Sequence, residues 1–348
     1  MRSIRRGLPL LGLAVLLSWG CDRGRTRVLE TDYVSAPQAF LRDRVAAVYN
    51  KTGTVKNGDR VDVLDRDRRF ARVRTASGVE GWIEQRYLVS QQVFDGFQKL
   101  ARDSQSNAGE ATGVTRNDTN LHLSPGRDTE HLYQITQGTK VSLLQRATAE
   151  KNLPGGITPA AKAPTQTQGT AQTPPPVPLE DWWLIRDPGA HVGWVLGRML
   201  DVDIPLDIAQ YAEGQRIVAA LVLNEVHDDD KKVPEYLTLM TEPKDGMPFD
   251  YDQIRVFTWN VRRHRYETAY RERNLNGFLP VTVSKEDFGK EGTLPVFVLR
   301  VKDDAGNVIE RKYKLNTPIV RRVLAPGEQP AKPAPRAKAA RAARRKRR

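Results

Sequence analysis

The chain has 348 residues, a formal net charge of +13 and a mean hydropathy of −0.55. No stretch of the chain, including the apolar run near the N-terminus, is apolar over the roughly 20 residues that a membrane-spanning helix needs, which excludes a polytopic membrane protein. The positive charge is concentrated at the two ends: three arginines lie within the first six residues, and nine cations and one glutamate follow from Ala325 onward. Because the body between them is close to neutral, we expect no nucleic-acid partner.

Residues 1–20 have the order of an export signal. The cations Arg2, Arg5 and Arg6 come first, an apolar run from Leu8 to Leu17 follows, and the small residue Gly20 ends the segment. This order is typical of a secretory signal peptide. The run is too short to span a bilayer, so we interpret it as a removable targeting segment rather than an anchor.

Cys21 is the only cysteine in the chain and directly follows this leader. The residues around it resemble the lipobox of bacterial lipoproteins, in which signal peptidase cleaves before an acylated cysteine; they are Leu16, Leu17, Ser18, Trp19, Gly20 and Cys21. Ser18 and Trp19 depart from the usual pattern. The resemblance implies lipidation at Cys21 and a membrane anchor facing the periplasm or the exterior. The alternative is an ordinary signal peptide followed by an unpaired cysteine, which is a liability in an oxidising compartment.

Two stretches of the chain match each other in order and in spacing. The first contains Gly58-Asp59-Arg60-Val61-Asp62-Val63, then Gly81-Trp82-Ile83, then Tyr87-Leu88; the second contains Gly138-Thr139-Lys140-Val141-Ser142-Leu143, then Gly193-Trp194-Val195, then Met199-Leu200. Apolar and polar residues alternate as in half-buried strands, and Gly58 and Gly138 are suited to turns with positive φ. Short strands with regular turns predict a small β barrel in each copy.

These motifs resemble the bacterial SH3 domain, which has a Lys-Gly-x-x-Val-x-Val strand and a Gly-Trp-Val strand before a final Tyr-Leu. The resemblance covers residues 41–90 and 112–203. It implies two SH3-like barrels, at 33–90 and 112–203, that bind peptidoglycan peptides or protein partners. We expect no cofactor.

Five aromatic residues are candidates for a ligand groove, because rings combine apolar area with a polar edge that suits short peptides or sugar faces. They are Tyr49, Phe70, Tyr133, Trp182 and Trp183. We expect Trp82 and Trp194, by contrast, to pack inside the barrel cores.

Two segments connect or interrupt the repeats. Residues 91–111 carry apolar side chains at helical spacing and predict a helical linker that acts as a spacer. Residues 147–178 are rich in Pro, Thr, Gln and Ala and predict a disordered insertion between two strands of the second copy.

Residues 206–323 predict a β-rich domain, a sandwich or a further barrel, of no family that we recognise. Seven strands are expected, at 217–226, 236–240, 253–259, 266–271, 278–283, 294–301 and 308–315. The fold class is therefore all-β, with two small SH3-like barrels followed by this domain. Residues 324–348 predict a disordered basic tail, whose cations Arg344, Arg345, Lys346, Arg347 and Arg348 are expected to contact an anionic lipid or polymer.

The sequence gives little support for catalysis. The five histidines are scattered, no serine lies in a nucleophile elbow, and no cysteine remains once Cys21 is acylated, so we expect neither a catalytic nor a metal site. The favoured hypothesis is a noncatalytic envelope lipoprotein whose barrels bind peptidoglycan or another envelope ligand. The alternative is a scaffold or regulatory subunit that binds a periplasmic or membrane protein.

Overall fold

The computed structural model describes residues 27–151 and 177–324. The leader, Cys21, most of the predicted insertion and the cations Arg344 to Arg348 lie outside these ranges, so what the sequence indicates about them stays a prediction. The described residues fall into two compact units, one ending at Gln91 and one beginning at Gln92.

The first unit is a seven-stranded antiparallel sheet. Its strands are β1 (Glu30–Val34), β2 (Gln38–Arg42), β3 (Lys51–Lys56), β4 (Arg60–Asp67), β5 (Phe70–Thr75), β6 (Glu80–Glu84) and β7 (Leu88–Ser90), in the spatial order β3-β2-β6-β5-β4-β1-β7. Buried side chains from six of the strands share one core, including Val34, Leu41, Val55, Val63, Val73 and Ile83. Because strands from both ends of this order contribute to one core, the sheet curls around it as a small barrel.

The second unit begins with the helix α1 (Gln91–Asp103) and a second seven-stranded sheet. Its strands are β8 (Ala111–Thr115), β9 (Thr119–His122), β10 (His131–Ile135), β11 (Lys140–Glu150), β12 (Leu179–Arg186), β13 (Val192–Leu196) and β14 (Leu200–Val202). The spatial order is β10-β9-β13-β12-β11-β8-β14, which is the order of the first sheet with each strand number raised by seven. The two sheets thus have the same topology.

Matching glycines explain part of this common topology. Gly58 and Gly138 both have positive φ, 83° and 78°, and each donates a 2.8 Å backbone hydrogen bond to the first strand of its own sheet. Gly81 and Gly193 lie where a neighbouring strand comes close: a Cβ at Gly81 would be 2.7 Å from Leu41 Cβ, and one at Gly193 would be 2.6 Å from Leu121 Cβ. Only glycine allows this close approach, which accounts for the Gly-Trp pair in both copies.

The insertion in the second sheet starts later than Ala147. Strand β11 continues to Glu150 and pairs with β12 as far as the Glu150–Leu179 partners, so the prediction of a loop from Ala147 is wrong for the first four residues. The physical reason is that Ala147 and Ala149 pack against a buried apolar cluster, which holds the strand in register.

The C-terminal part of the second unit contains a short helix, α2 (Leu206–Ala209), and two four-stranded antiparallel sheets. The first has β15 (Arg216–Asp228), β16 (Lys231–Thr241), β17 (Gln253–Asn260) and β18 (Arg265–Glu272); the second has β19 (Gly277–Asp287), β20 (Thr293–Lys302), β21 (Val308–Asn316) and β22 (Ile319–Val323). The all-β fold class and all seven predicted strands of this region are confirmed, and β22 is an eighth strand that the sequence analysis missed. Across the described ranges, no helix has the length and apolar character needed to cross a membrane.

Candidate ligand-binding face of the first barrel

Strands β5 and β6 of the first barrel have an inner and an outer face. Val73, Gly81 and Ile83 point into the core, so the alternation of strand side chains sends Trp82 outward. In the strand register, Trp82 lies opposite Arg72 on one side and Arg42 on the other. Trp82 is partly exposed. The prediction that it packs in the core is therefore wrong, because the glycine before it occupies the inward position.

Arg42 connects two of the predicted groove aromatics. Its guanidinium carbon lies 4.2 Å from the centre of the Tyr49 ring and 5.1 Å from the centre of the Phe70 ring, within the range of cation–π contacts. Phe70 is only 6% exposed, whereas Tyr49 is partly exposed. The structure thus brings Tyr49 and Phe70 together around Arg42, and Phe70 supports the guanidinium from below while Tyr49 remains accessible.

Glutamates neutralise the arginines of this face. Glu84 lies 3.3 Å from Arg42, and Glu80 lies 2.9 Å from both Arg72 and Arg74. The hydrogen bond from Arg74, together with the charge of Arg72, lowers the pKa of Glu80 below its ordinary value. The surface around Trp82 is therefore aromatic and rich in hydrogen-bonding groups without a large net charge, which suits a neutral or zwitterionic polar ligand more than a polyanion.

The equivalent face of the second barrel is closed. Trp194 lies opposite His122 and Leu184 in the register, as Trp82 lies opposite Arg42 and Arg72. Leu100 and Ala101 of helix α1 pack against the cluster that contains Trp194 and Trp182, and these two tryptophans are 8% and 2% exposed. Trp182 as a groove residue is therefore wrong, because the helix that we expected to be only a spacer contributes to the cover over it.

The two remaining groove candidates are also buried. Tyr133 is 9% exposed, stacks on His191 with 4.0 Å between the ring centres, and contacts the ring of Phe97 edge-on at 5.5 Å. Trp183 is 8% exposed and borders a cavity of about 60 Å³ whose other wall includes Ile217 of β15. Trp183 as a groove residue is wrong as well, since the C-terminal sheets cover its side of β12. The five predicted aromatics do not form one groove.

A buried ion cluster joins the second barrel to the C-terminal sheets. Arg146 of β11, whose side chain is 6% exposed, donates to Asp181 Oδ1 at 2.6 Å, to Asp250 Oδ1 at 3.2 Å and to the carbonyl oxygen of Phe249 at 2.8 Å. Asp181 also accepts a 2.9 Å hydrogen bond from Arg216 of β15. Since every charge is matched by several hydrogen bonds, this arrangement is a structural clamp rather than an open site.

Sequence analysis missed Trp82, Arg42 and Arg72 as members of an accessible face. A usable signal was present: in the sequence Val79-Glu80-Gly81-Trp82-Ile83, an inward Gly81 and Ile83 require an outward Trp82. The family resemblance favoured a core position instead. The same alternation places Trp194 on the outer face of its sheet, yet Trp194 is buried. Strand alternation therefore predicts the face on which a side chain lies, but not whether another element covers that face.

Comparison with known proteins bears on the first barrel. No curated protein sequence matches the chain. Among solved structures, it is similar to an NlpC/P60 family protein from Bacillus cereus ATCC 10987, at 11% identity and a TM-score of 0.23, over 57% of this chain and 65% of that one, so less than two thirds of that protein is spanned. Further matches are NlpC2 from Trichomonas vaginalis (10% identity, TM-score 0.17, 72% of this chain and 99% of that chain) and NlpC1 from the same organism (10%, 0.16, 74% and 92%).

None of these three superpositions reaches the similarity of a common fold. A family model described as the bacterial SH3 domain matches residues 38–89, a span that includes β2 to β6, Trp82 and the Gly81 close approach. Residues 38–89 are therefore a bacterial SH3 domain.

Proposed function

We propose that this protein is a noncatalytic, lipid-anchored envelope protein that binds peptidoglycan or another cell-envelope ligand through the outer face of its first barrel. Cys21 carries the lipid, and the cations at the C-terminal end contact anionic lipid or wall polymer. Residues 111–202 are a second copy of the SH3 fold, which their identical strand order supports. In this copy the equivalent face contributes to packing rather than to binding.

One observation carries the proposal: in a domain matched to the bacterial SH3 family, two accessible aromatic rings lie beside paired arginines and glutamates. Trp82 offers apolar area, and Tyr49 and Arg42 offer a stacked ring and guanidinium next to it. Aromatic rings and arginine are the residue types that dominate binding energy at interfaces, and the surrounding carboxylates and guanidiniums can position a polar ligand by hydrogen bonds.

The test is cosedimentation of the Cys21→Ser chain with purified peptidoglycan sacculi. We expect pelleting that resists high salt and falls about tenfold or more in Trp82→Ala, because the central ring of a small interface typically contributes more than about 1.4 kcal/mol. Leu206→Ala, which removes an apolar side chain that is 87% exposed in the second unit, is the control and should pellet like the parent. Pelleting that is unaffected by Trp82→Ala would place wall binding elsewhere on the chain.

Removal of residues 325–348 separates the tail from the barrel. Nine cations in this segment can adhere to any anionic polymer, and such adhesion is screened by salt. We expect the truncated chain to lose only the salt-sensitive part of its pelleting. If the truncated chain does not pellet at all, the first barrel binds a protein partner instead, which crosslinking and identification of a stoichiometric partner would establish.

The lipid anchor has its own test. Each buried methylene contributes about 0.8 kcal/mol, so acyl chains on Cys21 would hold the protein firmly on a membrane. We expect Cys21→Ala to move the protein from the membrane fraction to the soluble fraction. Unchanged fractionation would contradict lipidation and leave wall binding untouched. Release of soluble fragments from sacculi by the purified chain, at a rate above that of a mock purification, would contradict the noncatalytic assignment.

A further inference from the structure

A second concave region lies within the unit that begins at Gln92. It is a cleft of about 860 Å³ between the second barrel and the C-terminal sheets. Its lining comes from residues 106–110 and 144–148, from residues 247–250 and 278–282, and from Arg300 of β20. This volume lies within the range of about 300–1,000 Å³ that small-molecule sites occupy.

Glu110 places a buried carboxyl group in this cleft. Its side chain belongs to a residue only 9% exposed, and the one hydrogen bond it accepts comes from the backbone N–H of Val281, at 3.4 Å to Oε2. Within residues 27–151 and 177–324, Glu110 forms no ion pair with a Lys, Arg or His side chain. Burial is the main cause that raises the pKa of Glu110, and the negative charge of Asp250 adds to the effect. The carboxyl group therefore lacks a cationic partner.

Arg300 places an opposite charge in the same cleft, also without an ionic partner. Its Nη1 donates to the carbonyl oxygen of Leu279 at 3.0 Å, and in the described part of the chain it forms no ion pair. The positive charge of Arg300 lowers the pKa of Glu110 in part, so the two groups interact electrostatically although they form no ion pair. Arg146, in the same lining, differs because Asp181 and Asp250 already neutralise it.

Two opposite charges that line one cleft and remain unpaired define the ligand that would complete them. A buried carboxyl group is stabilised by an ammonium group, and a guanidinium by a carboxylate that it can hold with two parallel hydrogen bonds. The lining of the cleft also contains apolar side chains, namely Leu144, Phe278, Leu279, Pro280 and Val281. These would contact an aliphatic side chain.

We propose that this cleft binds a small zwitterion of amino-acid or dipeptide size, with the ligand ammonium on Glu110 and the ligand carboxylate on Arg300. The site belongs to the second unit and is separate from the wall-binding face proposed for the first barrel. The two proposals are therefore independent, and Trp82→Ala is expected to leave zwitterion binding unchanged.

Titration calorimetry of the full Cys21→Ser chain with L-alanyl-L-alanine tests the proposal. We expect the free dipeptide to bind, and both N-acetyl-L-alanyl-L-alanine and L-alanyl-L-alanine amide to bind about tenfold more weakly or worse, since each lacks one charge-assisted hydrogen-bonded group. This comparison uses the unmutated cleft, so it does not depend on the folding of a variant. Equal affinity for all three peptides, or no binding of any of them, would overturn the proposal.

Variants assign each charge to one end of the ligand. Glu110→Gln should weaken binding of the free dipeptide about tenfold and leave the already weak binding of the N-acetyl peptide unchanged. Arg300→Gln should also weaken binding of the free dipeptide about tenfold, but leave the already weak binding of the peptide amide unchanged. Glu130→Gln and Arg262→Gln, at exposed residues outside the cleft, are the matched charge controls and should bind like the parent. If both cleft variants bind the dipeptide as tightly as the parent, the charges do not hold the ligand and the proposal fails.

Discussion

The two seven-stranded barrels share a topology and differ in what covers the same outer face. In the first, Trp82 lies between Arg42 and Arg72 and is partly exposed; in the second, Trp194 is buried beside Trp182. The same strand order thus carries a partly exposed tryptophan in one barrel and a buried one in the other. Strand order alone therefore does not make this face accessible or buried: in the second barrel, Leu100 and Ala101 of helix α1 pack against the cluster that contains the tryptophan.

Residues at equivalent register positions explain the difference. The first barrel has Arg42 and Arg72 beside its tryptophan, whereas the second has His122 and Leu184. Two guanidiniums with their carboxylate partners are costly to bury beneath a helix. Leu184 and an uncharged imidazole are not, so the second face accepts the apolar residues of α1 and the first remains accessible to solvent.

The largest expected effect separates the two tryptophans. Trp194→Ala should lower the free energy of unfolding of its unit by about 3–5 kcal/mol, because it empties a buried site, whereas Trp82→Ala should cost less than about 1 kcal/mol. Native-state hydrogen exchange of the β13 and β6 amides measures the two units separately. Equal losses would mean that the two faces are equally packed and would break the comparison.

A second pair of equivalent residues is Arg146 and Arg66, which follow the same bulge in their respective fourth strands. Arg146→Gln should destabilise the second unit by about 3–5 kcal/mol, because it leaves Asp181 and Asp250 buried without their main partner. The side chain of Arg66 is 37% exposed and pairs with the exposed Glu30 and the buried Asp32 inside its own barrel, so Arg66→Gln leaves only one buried carboxylate without its partner and should cost about 1–2 kcal/mol. Urea denaturation of both variants gives the contrast; similar midpoint shifts would contradict it.

The matching glycines should behave alike. Gly81→Ala and Gly193→Ala each place a Cβ closer than 3.0 Å to a neighbouring strand, so both should destabilise their barrel by about 1–3 kcal/mol. Thermal unfolding of each variant measures the effect. Gly289→Ala is the control for the cost of positive φ alone, because a Cβ at Gly289 would have no atom within 4 Å. If only one of the two variants loses stability, the close contact between strands exists in only one of the barrels.

The smallest expected effect is a difference in pH response. Burial, and to a lesser degree the charge of His131, lowers the pKa of His122, so its unfolded form binds more protons than its folded form below about pH 6.5. Stability from this group is present above that pH and is lost as the pH falls toward the folded pKa. Arg42, the equivalent residue, does not titrate in this range.

We therefore expect the unfolding midpoint of the second unit to decrease as the pH is lowered from 7 to 5. The change of this midpoint per pH unit should be smaller in His122→Gln. In the first unit, replacing Arg42 should not alter the dependence of the unfolding midpoint on pH in this range. A slope that is the same in the parent and in His122→Gln would rule out His122 as its source.

Much of the fold was readable from local pattern. Alternation in segments such as Arg60-Val61-Asp62-Val63 and a glycine before each tryptophan predicted the strands, because both follow from backbone geometry within one or two strands. The predicted strand at 217–226 differs from β15 (Arg216–Asp228) by only one or two residues at each end. Strand β22 was missed because its pattern, Ile-Val-Arg-Arg-Val, is short and carries little burial.

The candidate sites were much less predictable, for a physical reason. Leu100 packs against the cluster that contains Trp182, and Ile217 lines the same small cavity as Trp183, so each tryptophan lies beside an element that no local pattern connects to it. Glu110 and Arg300 are even further apart in sequence and come together only in the lining of the cleft. Pairing across such distances is a property of tertiary packing, which sequence periodicity does not encode.

The Arg146 clamp also defines where this protein can be recombined. Asp181 accepts hydrogen bonds from Arg146 in the barrel, from Arg216 in the following sheet and from the backbone N–H of Gly246. A cut between the second barrel and those sheets would therefore leave ionic groups on both pieces without their partners. The described residues from Gln92 onward therefore form one structural unit, although they contain a complete barrel. For domain exchange, the boundary lies after the first barrel, near Gln91, where the first compact unit ends.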